Sequence, residues 1–572
     1  MTVEDILTQV ERPGRYIGEE WNCPKKDFSR ATIRFALCFA DLYEVGMSNI
    51  GLRILYGLLN DIADVACERF FSCNPDMEEA LRRNKKDIFS LESKEPLGAF
   101  DIIGFSLGYE LSYTNVLNIL DLGRIPLESS LRGPSHPLVI GGGPCVLNPE
   151  PIADFFDLFV IGEAEEAIIE IVDLYRRLKE KFKSGKISKK ELLAEFCGIE
   201  GVYAPLLYDP AYDSSGRLED FRPRSQGLPR KIKKRFIKGL DSSYFPIDWL
   251  VPYSQIVHDR VALEIMRGCP NRCAFCQARV QYYPFRKKEI DTIVRAASQS
   301  YKLTGYEEMS LAGLSVSDYP EVERLVENLV GLFRDRGVCV SLPSIKPKAL
   351  VGNLSYLVSK IKKTGLTFAP EAATERLRKC LNKEFDSEEF LRTLEQAYAS
   401  GYQRVKLYFM IGLPTESLAD VDAIIEMASS ISKLKARVSG SPAQVNISVN
   451  TLIPKPHTAF ERFRMEGEDS IIEKQDHLRQ KAKRIKRLKL SVQNIKMSTL
   501  EGILSRGDRR LSKVILSAFR KGAKFDAWDD HFVFEKWQEA FLESGVDPAF
   551  YLKERPQEEL LPWEFLDMGV NK

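Results

Sequence analysis

The sequence predicts an α/β chain: a doubly wound parallel sheet first, then a longer series of strand–helix units, then a small C-terminal region. Three observations predict it. Strand-length apolar runs alternate with helix-period stretches from residue 31 to about 205, the pattern of a parallel sheet with helices on both faces. A second alternation of six strand–helix units runs from 256 to about 480. Residues 206–255 separate the two and lose periodicity, and 572 residues exceed what one core holds.

Residues 1–30 read as an N-terminal extension. In the first unit, Ile33 to Phe39 is a strand and Asn49 to Leu59 an amphipathic helix. Asp101 to Ser106, Leu138 to Ile140 and Leu158 to Ile161 are further strands, and Ala167 to Leu178 is the clearest later helix. Such sheets bind ligands beyond the carboxyl ends of their strands. Three segments fall there: Asp41-Leu42-Tyr43-Glu44-Val45-Gly46, Phe105-Ser106-Leu107-Gly108 and Gly141-Gly142-Gly143-Pro144.

From Asp209 to Pro229 the chain mixes Pro, Gly, Ser and charge, as an exposed connection does. Asp241 to Tyr253 carries Tyr244, Phe245, Trp249 and Tyr253 among prolines and reads as a strap packed on the second unit. That unit opens with the strand-like Val261 to Met266. Ile290, Ile293, Val294, Ala297 and Tyr301 then keep helical spacing. Its other strands are Glu308 to Ala312, Val338 to Leu342, Leu366 to Ala369, Val405 to Met410 and Val445 to Val449, with a helix at Val322 to Phe333. Residues 481–572 form the C-terminal region. At its border Arg479, Lys481, Lys483, Arg484, Lys486, Arg487 and Lys489 make a basic run on a predicted helix.

The 82 basic and 81 acidic residues give a formal net charge of +1, which excludes a global field toward nucleic acid or membrane. No apolar run approaches the roughly 18 residues of a bilayer span, and the first residues carry no signal-peptide pattern. Eleven cysteines, an odd number, suit a reducing cytoplasm better than a disulfide framework.

The chemistry concentrates in Arg267-Gly268-Cys269-Pro270-Asn271-Arg272-Cys273-Ala274-Phe275-Cys276, directly after the first strand of the second unit. Three thiolates on a loop at a strand end can gather around one centre. Closed structural sites use four protein ligands, and a catalytic site keeps a position open. Cys269, Cys273 and Cys276 on a 4Fe–4S cluster would leave one iron free. The alternatives are a zinc site with a distant fourth ligand and three unrelated loop cysteines.

The C-x-x-x-C-x-aromatic-C spacing, with Phe275 as the aromatic and strand–helix units following, resembles the radical SAM superfamily. The resemblance implies a partial (β/α)6 TIM barrel, a 4Fe–4S cluster on the three cysteines, and S-adenosylmethionine (SAM) chelating the open iron. It implies reductive cleavage of SAM to a 5′-deoxyadenosyl radical, and so an outside electron donor. Gly313-Leu314-Ser315 stands where that superfamily has a G-G-E-like segment that meets the methionine amino group; it lacks the glutamate, so the resemblance leaves the Gly313 backbone and Ser315 as SAM contacts, with Phe275 of the cysteine loop as another. Glu371, Arg376 and Arg378 are candidate partners for the ribose, amino or carboxylate groups of SAM; the competing reading is a capped, salt-bridged helix start at Thr374 and Glu375. Gly412 opens a G-x-P-x-E-like segment expected to shape the adenine pocket. Arg286 with Lys287 and Lys288 reads as neutralising the cluster, meeting phosphate or opening a solvated helix.

In the first unit the segments at Asp41, Ser106 and Gly141 resemble, in order, the D-x-H-x-x-G, S-x-L and G-G motifs of the Rossmann-type cobalamin-binding domain. Val160-Ile161-Gly162-Glu163-Ala164-Glu165 resembles its V-x-G-E-G-E ending. The resemblance implies corrin contacts at Asp41, Tyr43, Gly46, Ser106, Gly141 and Gly142. Tyr43 replaces the cobalt-ligating histidine, so a cobalamin pocket and a domain that keeps the fold without the cofactor both stay open. Pro454-Lys455-Pro456-His457-Thr458-Ala459-Phe460 resembles the P-K-P-x-T-P-F segment of tRNA methylthiotransferases, and His457 reads as a packed loop histidine. With the basic run, this tilts the open question of substrate toward RNA. Tyr43 to Gly51, Ser106 to Asn115 and Ala369 to Ala372 extend the likeness, over nearly the whole chain, to a bacterial family of radical SAM proteins with an N-terminal cobalamin-binding-like domain. The reading is a radical SAM enzyme, with cobalamin for methyl transfer to an unactivated carbon or without it for sulfur insertion or rearrangement. A non-catalytic iron–sulfur or zinc module is the alternative of another class.

Overall fold

A computed structural model describes residues 2–341 and 365–570. The first unit is a six-stranded sheet in the order β2-β1-β3-β4-β5-β6. Its strands are β1 (Ile33–Phe39), β2 (Val65–Phe71), β3 (Ile102–Ser106), β4 (Leu138–Gly142), β5 (Leu158–Val160) and β6 (Val202–Tyr203). All neighbours pair in parallel except β5 with β6. Apolar residues run almost unbroken through β1, β3 and β4, as burial on both sheet faces demands.

Reading β2 from the sequence fails because Glu68 and Arg69 interrupt Val65–Phe71, yet every residue of that strand is buried. Arg69 is matched by Glu20 at 2.6 Å and Glu92 at 2.6 Å, and Ser93 Oγ donates to Glu68 at 2.6 Å. A paired buried charge looks like a solvent residue until its partners, 49 and 23 positions away from Arg69, are known.

The connection is more structured than the expected exposed tether. β7 (Tyr208–Tyr212) and β8 (Leu218–Pro223) form an antiparallel hairpin, and β9 (Ile232–Lys233) follows. The aromatic strap is observed: Trp249 is buried in the second unit's core, with the Arg53 guanidinium 4.7 Å from its ring.

β10 (Val261–Glu264) starts the second unit, and β11 (Met266–Arg267) pairs antiparallel with β12 (Arg286–Lys287) around the cysteine loop. β13 (Glu308–Ala312) and β14 (Cys339–Ser341) complete one parallel sheet; Leu342, expected to end that strand, lies outside the described residues. β15 (Leu366–Glu371), β16 (Arg404–Ile411), β17 (Gln444–Thr451) and β18 (Leu488–Val492) make the other. Among the described residues the six expected strands are present, and β18 adds one the sequence did not announce. The basic run is therefore not one helix: a helix ends at Lys483, and Lys489 lies in β18.

The C-terminal region returns to the first unit. Helices Ile495–Arg506, Leu511–Arg520 and Phe534–Ser544 share one apolar core with β1–β6, whereas the barrel has its own. β19 (Leu566–Asp567) pairs with β9. Arg506 is fully buried and donates to the carbonyls of Tyr551, Pro454, Glu461 and Lys553, which ties this region to the chain leaving β17. Among the described residues, no helix is long and apolar enough to cross a membrane.

Candidate active site

The cysteine loop leaves β11 at the C-terminal end of the barrel strands, where such folds build their sites. Gly268 takes φ +85, and a Cβ there would stand 2.7 Å from the Pro284 carbonyl, so only glycine lets the loop's two ends pass each other. Cys269, Cys273 and Cys276 are part-exposed, in contrast to the buried Cys38, Cys67, Cys73, Cys145 and Cys197 of the first unit. Among the described residues no three His, Cys, Asp or Glu side chains gather closely enough to hold a single metal ion.

Segments distant in sequence hold the loop. The Ala274 amide donates to the Leu381 carbonyl at 2.9 Å, Asn382 donates to the Arg272 carbonyl at 2.7 Å, and the Ala459 amide donates to the Ala274 carbonyl at 3.1 Å. Ala274 and Phe275 pack on a small core of Ala372, Leu377, Leu381, Leu413, Leu452 and Phe460 at the ends of β15–β17. Phe275 is thus a packing anchor, with Lys383 Nζ 5.6 Å from its ring centroid. Lys383 also pairs with Glu371 at 2.8 Å. Burial raises the Glu371 carboxyl and Lys383 lowers it, with a net rise; its backbone sits at φ +63.

Ser315 Oγ donates to Asp318 at 2.6 Å, and Asn271 bridges the same carboxylate, at 2.7 Å, to Cys269 Sγ, at 3.2 Å. Sequence reading passed over Asn271 and Asp318; a polar residue between two cysteines was the available signal. Gly313 lines a cavity described below, and its Cβ would meet Met266 Cγ at 2.8 Å.

The remaining SAM candidates are engaged within the chain. Arg376 donates to Thr415 and pairs with Asp420, whose carboxyl is held at about 2: burial raises it, but hydrogen bonds from Ser417, Thr374 and Arg376 outweigh that. Arg378 is buried, donates to the Ala373 carbonyl and Ser387 Oγ, and stacks over Phe385. The Thr374 hydroxyl bonds Asp420 rather than capping its own helix. The Gly412 amide donates to Glu416, which pairs with Lys474.

A cavity of about 590 Å³ lies between the two units. The first contributes Ser106, Gly141 and Gly142; the second contributes the root and exit of the cysteine loop (Arg267, Gly268, Gln281, Tyr282) and Gly313. Asp41, Tyr43 and Gly46 are not among its lining residues. The Tyr43 hydroxyl instead donates to buried Glu20 at 2.8 Å, Asp41 accepts from the Trp528 indole at 3.0 Å, and Gly46 abuts Phe71. One wall is bare backbone: a Cβ on Gly108 would meet nothing within 4 Å, and one on Gly142 only the Val160 carbonyl at 3.9 Å.

The cavity floor is an ion-pair network. Arg267 pairs with Glu165 at 2.7 Å, Glu264 at 3.0 Å and Glu163 at 3.2 Å, and Arg286 pairs with Glu163 at 2.6 Å. Burial raises the Glu163 carboxyl, but Arg286 and Arg267 pull it further down, below the ordinary range. Arg286 therefore docks one unit on the other through the V-I-G-E-A-E segment; it opens no solvated helix. Lys234 reaches from the connection to donate to the carbonyls of Val280 at 2.8 Å and Tyr283 at 2.7 Å, closing the turn after the loop. His457 is packed, as expected, with Nε2 3.0 Å from the Leu147 carbonyl. Lys455 beside it is buried between Glu110 at 2.7 Å and Glu501 at 2.8 Å. The basic run precedes β18 and so lies at the opposite end of the strands from the cysteine loop.

These features define a radical SAM fold, and the chain belongs to the radical SAM superfamily. The model "Radical SAM proteins, N-terminal" matches residues 51–205, and "Radical SAM superfamily" matches 263–428. Uncharacterized protein MJ0966 of Methanocaldococcus jannaschii is 29% identical over 512 residues, 89% of this chain and 97% of that protein. Ribosomal protein uS12 methylthiotransferase RimO of Pelotomaculum thermopropionicum is 25% identical over 293 residues, 47% of this chain and 61% of its own length. The solved structure of OxsB, a cobalamin-dependent SAM radical enzyme, in its apo form, has the same fold at TM-score 0.50 and 11% identity, covering 90% of this chain and 84% of that one. The methyltransferase TsrM of Kitasatospora setae aligns at TM-score 0.48 and 13% identity, over 75% and 77%. The chain is a radical SAM enzyme.

Proposed function

We propose that Cys269, Cys273 and Cys276 hold a 4Fe–4S cluster that binds SAM, and that the cavity between the two units takes cobalamin for methyl transfer to an unactivated carbon. One observation carries the reading: the cysteine loop roots in a cavity whose other wall is the glycine-lined strand end of the first unit. A cluster of this class supplies a strongly reducing electron, down to about −700 mV, and a bound corrin supplies the methyl group. The residues fit both. Three part-exposed thiols on one anchored loop provide cluster ligands, and bare backbone at Gly108 and Gly142 admits a flat macrocycle closely. No histidine lines the cavity among the described residues, so the fit is to the ring and not to an axial imidazole.

The chain's own groups then have definable tasks. Asn271 steadies the Cys269 sulfur, and Lys383 places a positive charge over Phe275 beside Cys276. Ser315 and Gly313 edge the strand end where the methionine part of SAM belongs. RNA is not carried into the proposal, because the basic run sits at the far end of the barrel.

A second reading, a cobalamin-independent enzyme of the methylthiotransferase kind, draws on the likeness to RimO and on Ala459, which bonds the cysteine loop from the P-K-P-H-T segment. Anaerobic purification from cobalamin-fed cells separates the two. A stoichiometric corrinoid spectrum supports the first; full iron loading with none supports the second. Cys276→Ala should abolish the brown chromophore and 5′-deoxyadenosine formation together, and retained SAM cleavage would overturn both.

A further inference from the structure

Gln281 ends the short helix that follows Cys276 and lines the cavity between the units. It is 4% exposed, and its Oε1 is buried without a hydrogen-bond partner. The carboxamide oxygen therefore stands unmatched in the cavity wall. Its main-chain carbonyl is fixed by Lys234 Nζ at 3.4 Å, which holds the side chain's origin in place. The neighbouring Tyr282 also lines the cavity, and burial raises its hydroxyl.

Buried polar groups are almost always paired, and those that are not mark a missing partner. A carboxamide offers one acceptor and one donor side by side, and which end is oxygen is interchangeable. Its best complement is another primary amide, which answers both ends at once. A ligand that brings primary amides around an otherwise apolar disc satisfies Gln281 and lies flat on the bare backbone of Gly108 and Gly142. A phosphate or carboxylate would offer acceptors only, and would meet the carboxylates of Glu264 and Glu165 in the same wall.

We propose that Gln281 is a recognition residue of the cavity, pairing with a peripheral carboxamide of the corrin ring. The inference rests on the cobalamin reading. It adds that the second unit, through the helix leaving the cluster loop, grips the ring's edge, so corrin and cluster are positioned by one segment of chain.

The test is titration of the full chain, with its cluster reconstituted anaerobically, with hydroxocobalamin and separately with cobinamide, which keeps the amide rim and lacks the nucleotide tail. Gln281→Met preserves length and volume; Gln281→Leu is the second variant should the first load poorly. Both corrinoids should bind Gln281→Met about tenfold more weakly than wild type, the size of one lost polar contact. Without corrinoid the variant should melt at or above the wild-type temperature, because an amide with an unmatched oxygen is replaced by an apolar chain. A merely structural glutamine would give a lower melting temperature instead. Equal affinity of variant and wild type would overturn the inference, assign the amide to an internal water and leave the cobalamin reading standing. Failure of the wild type to bind either corrinoid would overturn both.

Discussion

Glu163 is the residue through which the two units and the cysteine loop depend on one another, and its removal has a calculable effect. The carboxylate accepts from Arg286 at 2.6 and 2.8 Å and from the Ile237 amide at 2.7 Å, and it pairs with Arg267 at 3.2 Å. The side chains of Glu163, Arg286 and Arg267 are only 5%, 9% and 8% exposed. In Glu163→Leu, Arg267 keeps Glu264 and Glu165, but among the described residues Arg286 keeps no carboxylate, just the carbonyls of Pro284, Tyr282 and Ile237 and the ring of Phe236. An uncompensated buried charge of this kind costs about 3–5 kcal/mol. Because the loss falls on docking between units rather than on either core, hydrogen–deuterium exchange is the suitable assay. Amides of residues 232–240 and 265–288 should exchange roughly 100- to 4000-fold faster, at about 1.4 kcal/mol per tenfold. Glu163→Leu combined with Arg286→Leu removes both charges and should recover at least about 2 kcal/mol relative to the sum of the single changes. Exchange within threefold of wild type in Glu163→Leu, or strict additivity in the double variant, would refute the clamp.

Two further outcomes follow from named groups. Burial holds the Lys234 amine down to about 8, below its ordinary 10.5. A cation with a depressed folded pKa contributes stability above its unfolded value and loses it as pH falls through the folded one. Thermal stability of the wild type should thus gain between pH 8 and 10.5, by no more than about 3 kcal/mol, relative to Lys234→Met; parallel curves would count against it. Gly162 has φ +107, and a Cβ there would stand 2.1 Å from the Arg235 carbonyl, whereas one on Gly108 meets nothing within 4 Å. Gly162→Ala should cost more than about 3 kcal/mol in chemical unfolding and Gly108→Ala under about 1; similar midpoints would show that the close approach at Gly162 is not limiting.

Much of the architecture is readable from periodicity because apolar runs report burial directly. Six barrel strands and four of the first sheet's strands stand out in this way, as does the three-cysteine loop, whose spacing is local. Three things are not local, and they escape. β2 hides because Arg69 and Glu68 find buried partners far along the chain. β18 hides because Lys489 and Ser491 alternate with Leu488, Leu490 and Val492 immediately after a basic helix end, so charge masks the period of two. The cavity-lining residues are legible only where backbone is exposed at strand ends, as at Ser106, Gly141, Gly142 and Gly313. Tyr43 and Asp41 match a motif by position, yet Glu20 from the N-terminal extension and Trp528 from the C-terminal region engage them.

The same sorting decides which charge beside the cysteine loop is available to an anionic cofactor. Arg267 precedes Gly268 and Cys269 directly, and by sequence it is the obvious counter-charge. Three carboxylates within 3.2 Å already neutralise it, and Glu163 serves Arg286 as well, so this end of the loop offers no spare positive charge. Lys383 is different. Among the described residues its one ion-pair partner is Glu371, a carboxylate whose pKa burial raises, so protonation of Glu371 would free the lysine's charge. That charge lies over the ring of Phe275, next to Cys276, where it already opposes part of the burial cost of the thiolate. A ligand carboxylate that replaced Glu371 on Lys383 would meet a cation held in place by the loop's own aromatic residue. The electrostatics of the loop are therefore set from β15 and the stretch after the helix Glu375–Cys380, whereas its position is set by Leu381, Asn382 and Ala459 within the second unit and, at its root, by Glu163 and Glu165 of the first.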